Sequence, residues 1–138
     1  MDEQIAEGGC LCGAVRYRVI GVPLSSGIWH CRSCRRISAA PMLPYITLPI
    51  DRFSFTLGRA ADFKSSAPVT RSFCARCGTS LTYRHADYAD RIDVMTCTLD
   101  DPDRFPPTLH IWISHRPSWS KIADGLPAYS TTKEAGNS

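Results

Sequence analysis

The sequence predicts a mainly β fold built from many short strands. Ten prolines and nine glycines are spread through the 138 residues, which favours short elements over long helices. Near the N-terminus, apolar Val15, Tyr17 and Val19 alternate with Arg16 and Arg18, the pattern of a half-buried strand. Six of the seven cysteines form three close pairs, a spacing typical of metal-binding turns between strands.

Further strands are predicted where β-branched and aromatic residues lie between turn residues. They cover residues 28–31, 43–48, 53–55, 69–73, 80–84, 91–99 and 105–113. A short helical turn is predicted from Cys34 to Ala40, where Pro41 ends it. The seventh cysteine, Cys97, is expected to lie in the 91–99 strand as a small apolar residue.

The length fits one compact domain, which we place at residues 1–129. Residues 130–138 are polar and are expected to form a disordered tail. Trp112 and Trp119 are expected to pack over the core, with a place in the wall of a ligand pocket as the alternative.

The charge pattern excludes several functional classes. A net charge of +3 with a pI near 8.5 lacks the dense basic stripe of a dedicated nucleic-acid binder, so nucleic acid is an unlikely partner. The acidic start, Met1 to Ile5, is not a secretory signal, and no apolar run approaches a membrane span. We therefore expect a cytoplasmic protein whose thiols stay reduced.

Two of the three cysteine pairs are closed by a glycine, which lets the backbone turn its N–H groups toward the sulfurs. Zinc in a closed site takes four ligands, so two such pairs are needed. Disulfides and ordinary core thiols are the alternatives, although a bridge within so short a pair is a poor structural staple. The glycines favour a four-ligand zinc site formed by Cys10, Cys12, Cys74 and Cys77.

The remaining pair, Cys31 and Cys34, is followed by arginine instead of glycine and is available for function. A thiolate at the start of the predicted helical turn would be stabilised by unpaired N–H groups and by Arg32, Arg35 and Arg36. The alternative for these arginines is a solvated surface.

Taken in order, several motifs resemble the glutathione-dependent formaldehyde-activating enzymes, a family also linked to centromere protein V. The resemblance extends from about Gly8 to Pro127 and rests on residues 10–15, 30–35, 73–79, 98–102, 110–112 and 119–127. It implies an Mss4-like fold of small antiparallel sheets around a structural zinc held by Cys10, Cys12, Cys74 and Cys77. It also implies a second zinc, held by three cysteines, with one position open for substrate.

This chain departs from the family pattern at the second site. Trp29 stands where the family has its first cysteine, so only Cys31 and Cys34 match, and an indole N–H cannot ligate a metal. His30 is expected to point away from its neighbours on the strand and to make structural hydrogen bonds. The other histidines, His85, His110 and His115, have no position that favours ligation.

The resemblance implies a carbon–sulfur lyase that adds glutathione, or a similar thiol, to formaldehyde or a small aldehyde. Cys31 and Cys34 would hold the second zinc, and Arg32, Arg35 or Arg36 would bind the carboxylates of glutathione. Two alternatives remain open. One is a non-catalytic, zinc-stabilised binding domain, favoured by Trp29, and the other is a dithiol redox protein using Cys31 and Cys34.

Overall fold

The structure is a computed structural model that describes residues 4–133. Within this range the chain forms ten β-strands, one α-helix and several single-turn 3-10 helices, which confirms the predicted mainly β class. The strands are β1 (Ile5–Gly9), β2 (Arg16–Ile20), β3 (Ser25–Trp29), β4 (Leu43–Pro49), β5 (Phe53–Leu57), β6 (Ala61–Ser66), β7 (Val69–Phe73), β8 (Ser80–His85), β9 (Arg91–Met95) and β10 (His110–Ile111), and the helix is α1 (Arg32–Ser38).

The strands form two sheets. The smaller sheet has the order β1-β2-β5, and the larger has the order β10-β3-β4-β9-β8-β7-β6. All pairings are antiparallel except that of β10 with β3, which is parallel. The larger sheet is therefore mixed, with a short parallel strand at one edge.

The predicted alternation in β2 sets the inner face of the smaller sheet. Val15, Tyr17 and Val19 are 2%, 0% and 1% exposed, and they share one core with Ile46 and Leu48 of β4. Side chains two residues apart in a strand point to the same face, so this run buries its apolar half completely. The core thus lies between the two sheets.

The two sheets are also joined through the backbone after β9. Gly8 of β1 forms a bridge with Leu99, and the Asp100 N–H donates to the Glu7 carbonyl at 2.9 Å. A Cβ on Gly8 would lie 2.5 Å from the Thr98 carbonyl oxygen, so only glycine permits this approach. The cysteine-bearing turns of both sheets are held on the same side of the molecule as a result.

The prediction for Cys97 was wrong. Strand β9 ends at Met95, and residues Thr96–Thr98 form a 3-10 turn in which Cys97 is exposed. The chain must leave the larger sheet here to reach β1, and the three-residue period of the turn buries Thr96 and Leu99 instead.

The strand predicted at residues 105–113 is reduced to β10. Pro106 and Pro107 lack the N–H groups that a β-ladder requires, and Trp112 has a φ of 60°, which ends the strand.

The core prediction for Trp119 was also wrong, because its side chain is 70% exposed in a turn that is closed by a hydrogen bond from the Ser120 N–H to the Pro117 carbonyl. Trp112 is half-buried, packs against the core cluster that contains Trp29 and Tyr45, as predicted, and also lines a cavity, the alternative considered for it.

The polar stretch from Gly58 to Pro68 contains the exposed edge strand β6. At the other end, the carbonyls of Ser130 and Thr131 accept hydrogen bonds from the main chain of Ser114 and Trp112. The predicted domain boundary stays a prediction, and residues 134–138 of the predicted tail lie outside the described range. No helix between residues 4 and 133 has the length and apolar character needed to cross a membrane.

Candidate metal centre and neighbouring cavity

Four cysteines meet where the two sheets approach each other. Cys10 and Cys12 lie in the turn between β1 and β2, and Cys74 and Cys77 lie in the turn between β7 and β8. Their sulfur atoms all lie within 4.8 Å of one another. The Cys10–Cys12 sulfur distance is 3.6 Å and the Cys12–Cys74 distance is 3.8 Å. The structure brings together the four residues that the glycine pattern selected.

The glycine after each pair takes a conformation that other residues rarely adopt. Gly13 has a φ of 80° and Gly78 a φ of 84°. Their N–H groups donate back to the carbonyls of Cys10 and Cys74, at 3.1 and 2.7 Å. Each turn is tight enough to present both of its sulfurs on one side.

Backbone N–H groups also face the sulfurs, as expected. The Val15 N–H donates to the Cys10 sulfur at 3.2 Å, and the Cys77 N–H lies 3.5 Å from the Cys74 sulfur. Hydrogen bonds from N–H groups stabilise a thiolate more than a thiol. The surroundings therefore favour the charge state that binds a metal.

The four thiols cannot all ionise easily without a cation. The Thr79 hydroxyl and N–H lower the pKa of Cys77 to about 5. At Cys12 the Ala14 N–H lowers the pKa, but burial and the neighbouring sulfurs outweigh it and raise the pKa to about 11. A divalent cation among the sulfurs would remove this repulsion.

The geometry of the cluster fits a tetrahedral metal ion. Zinc–sulfur bonds of about 2.3 Å in a tetrahedron place neighbouring sulfurs about 3.8 Å apart. Two of the sulfur separations, 3.6 and 3.8 Å, agree with that spacing, and all the others lie within 4.8 Å. Four protein sulfurs leave no open position, which is typical of a structural site and not of a catalytic one.

The third pair lies at the start of α1. Cys31 is the residue before the helix, Cys34 is 2% exposed within it, and the two are joined as a disulfide. In this state neither sulfur is free to bind a metal. A second zinc would require reduction of the bridge and, with Trp29 at the third cysteine position, would have two thiolates. A second zinc would therefore have two protein ligands, and water or substrate would fill its remaining positions.

A cavity of about 370 Å³ opens beside this pair. Trp29, 6% exposed, stacks on Tyr45 with ring centroids 4.2 Å apart. The indole thus forms part of a packed aromatic wall. The residues that line the cavity are Trp29, Cys31, Arg32, Ser33, Cys34, Ser65, Ser66, Val69, Arg71, Tyr83, Trp112 and His115.

The three arginines proposed for carboxylate binding lie at different positions around α1. Arg32 is exposed and lines the cavity. Arg35 is half-buried, its Nε has no hydrogen-bond partner within residues 4–133, and Arg36 is exposed. Arg35 and Arg36 do not line the cavity.

His30 points away from the cavity, as strand alternation predicts. Its Nε2 lies 2.9 Å from Nδ1 of His110, whose Nε2 donates to the Asp124 carboxylate at 2.9 Å. Burial, and then the charge of His110, lower the pKa of His30 to about 4. His30 is therefore a neutral residue within a buried hydrogen-bonded chain.

Two cavity residues were missed by the sequence reasoning. Arg71 is 5% exposed and its Nη2 lies 3.9 Å from the Cys34 sulfur. The sequence did offer one indication: Arg71 lies two residues after Val69 on β7, so both side chains point to the same, buried face of the strand. The His115 ring lies tilted against Trp112, with centroids 5.0 Å apart, and burial followed by the charges of Arg32 and Arg35 lowers the pKa of His115. No sequence pattern marked His115.

Two sheets that meet at a four-cysteine cluster, with the third cysteine pair beside an aromatic cavity, define a β-rich domain with a candidate metal site. The family described as glutathione-dependent formaldehyde-activating enzyme matches residues 5–115, which include both cysteine sites. The chain belongs to this family.

Known proteins resemble the chain at low identity. A protein of Halomonas elongata with the provisional name glutathione-dependent formaldehyde-activating enzyme is 26% identical over 127 residues, covering 86% of this chain and 81% of that protein. An uncharacterized lyase of Schizosaccharomyces pombe is 27% identical over 81 residues, covering 59% of this chain and 58% of that protein. A crystal structure of a Rhodobacter sphaeroides protein aligns with a TM-score of 0.58 at 20% identity, covering 68% of this chain and 87% of that one. This last likeness supports the fold.

Proposed function

We propose that the protein is a zinc-dependent carbon–sulfur lyase that joins glutathione, or a similar thiol, to formaldehyde or a small aldehyde. The observation that carries the proposal is the family match across residues 5–115, which include the four-cysteine cluster and the residues that line the cavity. The names of two relatives, one for formaldehyde activation and one for a lyase, support the same class.

The proposed reaction involves no net oxidation. The thiol sulfur bonds to the carbonyl carbon, the carbon–oxygen double bond becomes single, and the proton lost from sulfur is gained by oxygen. The product is an S-hydroxymethyl thioether, and the reverse reaction cleaves the carbon–sulfur bond.

The two cysteine sites take different parts in this proposal. The cluster of Cys10, Cys12, Cys74 and Cys77 holds a structural zinc that fixes the fold. Cys31 and Cys34, once reduced, are the proposed ligands of a second zinc. A bound zinc ion lowers the pKa of a thiol and polarises a carbonyl oxygen.

The cavity supplies binding and orientation. The rings of Trp29, Tyr83 and Trp112 form aromatic walls of the cavity, against which a substrate can pack. Arg32 presents a guanidinium at the same cavity, where it attracts the carboxylates of glutathione. Arg35 and Arg36 remain predictions for the same role at the outer side of α1.

The test is the rate of adduct formation with reduced, zinc-loaded protein. Wild type should exceed the spontaneous rate, and Cys31→Ser should return it to that background while the protein stays folded, with a cooperative melting transition. Cys97→Ser is the matched control, because Cys97 is exposed and does not line the cavity. Wild-type protein that adds nothing to the spontaneous rate would contradict the proposal.

A non-catalytic, zinc-stabilised binding domain is the second candidate, and Trp29 is the observation that favours it. A buried indole occupies the position of the missing third cysteine, so the second metal has fewer ligands. Zinc content of the reduced protein separates the two: a value near two per chain supports the enzyme, and a value near one supports the binding domain.

A further inference from the structure

Arg71 is a buried cation in the wall of the cavity. Its side chain comes from β7, the residue is 5% exposed, and it stands opposite Tyr83 of β8 in the sheet register. The guanidinium carbon lies 5.0 Å from the centre of the Tyr83 ring. Charged side chains are seldom buried this deeply unless an opposite charge or several hydrogen bonds compensate them.

The partners of Arg71 within the described residues do not neutralise its charge. Nε donates to the Ser65 hydroxyl at 3.1 Å, and Nη2 donates to the Ser33 hydroxyl at 3.3 Å and approaches the Cys34 sulfur at 3.9 Å. Between residues 4 and 133 no carboxylate contacts this guanidinium, and Nη1 has no hydrogen-bond partner. The charge of Asp93 acts on the guanidinium electrostatically.

A guanidinium held in this way is suited to an anion with two oxygens. Serine hydroxyls fix its plane from one side, and the ring of Tyr83 supports it from another. Planar N–H groups match the two oxygens of a carboxylate, and the interaction is strong where water is excluded. In the disulfide form Arg71 therefore lacks an anionic partner among the described residues, and an anionic group can reach it through the cavity.

We propose that Arg71 binds a carboxylate of the thiol substrate and so sets its position beside Cys31 and Cys34. The inference rests on the proposed function and narrows its substrate class to thiols that carry a carboxylate. Because Nη2 is 3.9 Å from the Cys34 sulfur, the bound carboxylate and the cysteine pair lie within the span of one small molecule. Neutral or cationic thiols of the same size lack this contact.

Binding of S-methylglutathione, followed by titration calorimetry, tests the proposal. This thioether keeps both carboxylates of glutathione but cannot exchange with the Cys31–Cys34 bridge. Arg71→Met should weaken its binding at least about tenfold, as expected for loss of a charge-assisted pair. Arg71→Lys keeps the positive charge but lacks the paired N–H groups of the guanidinium, so it should bind S-methylglutathione with intermediate affinity.

The matched control is Arg84→Met. Arg84 lies on β8, pairs with Asp62 at 3.6 Å and lines a different cavity, so its loss removes the same charge without touching the proposed site. The variant should bind S-methylglutathione as wild type does. Circular dichroism shows whether each variant is folded.

A second arm uses wild type alone and does not depend on the folding of a variant. The diethyl ester of S-methylglutathione should bind at least about tenfold more weakly than the acid. Equal binding of ester and acid, equal binding by wild type and folded Arg71→Met, or no binding of the acid to wild type would each overturn the proposal.

The outcomes also separate this inference from the proposed reaction. Arg71-dependent binding without adduct formation would leave the carboxylate site in place and remove the lyase. Adduct formation by wild type together with unchanged binding by Arg71→Met would keep the lyase and remove the carboxylate site.

Discussion

At the scale of single residues, Trp29 bears most directly on whether the cavity can hold a second metal, because the proposed ligands Cys31 and Cys34 follow it in the chain. Trp29 fills its place completely, because its indole stacks on Tyr45 and tilts against Tyr83 at 5.2 Å. A cysteine at this position would complete a third thiolate beside Cys31 and Cys34 but would leave the space of the indole empty.

We expect Trp29→Cys to make the second zinc of the reduced protein more resistant to a chelator, because a third thiolate joins Cys31 and Cys34, while lowering the stability by about 3–5 kcal/mol, the usual cost of removing a large buried aromatic ring. Elemental analysis after treatment with a chelator measures the first effect, and urea unfolding measures the second. Trp119→Cys is the control, since that side chain is 70% exposed and its loss should change neither quantity. Unchanged resistance to the chelator in folded Trp29→Cys would contradict the assignment of this position.

Gly78 tests the turn that presents Cys74 and Cys77. A Cβ there would meet no atom within 4 Å, but the φ of 84° is unfavourable for any side chain, so Gly78→Ala should cost about 1–2 kcal/mol. At Gly58, by contrast, a Cβ would lie 2.0 Å from the Ala14 carbonyl oxygen, and Gly58→Ala should cost more. Urea unfolding of both variants checks the order, and a larger cost at Gly78 than at Gly58 would contradict this account, because both glycines have a positive φ and only Gly58 also has the close contact.

At the scale of elements, a buried hydrogen-bonded chain links β3 and β10 to the loop that follows them. The Asp124 carboxylate accepts from His110, which orients that ring so that its Nδ1 faces His30. Nδ1 of His30 is buried and, among residues 4–133, has no hydrogen-bond partner. The fold therefore favours neutral His30 and resists its protonation.

This arrangement predicts a loss of stability in mild acid. The pKa of His30 is lowered from 6.5 to about 4 on folding, so the unfolded chain takes up a proton first as the pH falls. The contribution is complete above about pH 6.5 and is lost as the pH falls toward 4, to a total of up to about 3 kcal/mol. Urea unfolding from pH 7 to 4 should show a shallower decline in His30→Asn than in wild type. Release of a bound metal in acid would lower the stability of wild type and His30→Asn equally. If the stability of the two proteins falls in parallel, His30 is therefore not the cause of the acid sensitivity.

The strands that sequence could predict are those whose apolar residues alternate over one buried face. Val15, Tyr17 and Val19 meet that condition, and their strand was confirmed. Cys97 does not, because the chain turns toward the other sheet just before it, and no local pattern records that crossing. The shortening of the last predicted strand to β10 follows from Pro106 and Pro107, whose missing N–H groups were visible in the sequence and were given too little weight.

The same distinction applies to the site. The four-cysteine cluster could be predicted because Gly13 and Gly78 mark the local turns that such a centre needs. Arg71 could not be assigned to the cavity from its neighbours, since its contacts with Ser33 and Cys34 come from a part of the chain far away in sequence. Local chemistry was therefore predictable, whereas the composition of the cavity depended on how the sheets assemble.

At the scale of the whole molecule, the cluster connects the two sheets that make up the fold. Each sheet contributes one cysteine turn, and the core lies between them. Chelation of the metal should therefore lower the melting temperature of the whole domain, and removal of one ligand should do the same. Cys74→Ser should lose both the metal and the cooperative transition, whereas Cys97→Ser should keep both.

The most direct measurement is the zinc content of the natively folded protein, set against that of Cys74→Ser. Wild type should hold at least one zinc per chain that survives dialysis, and Cys74→Ser should lose it. A folded wild-type protein without metal would contradict the claim that the four sulfurs join the two sheets through an ion.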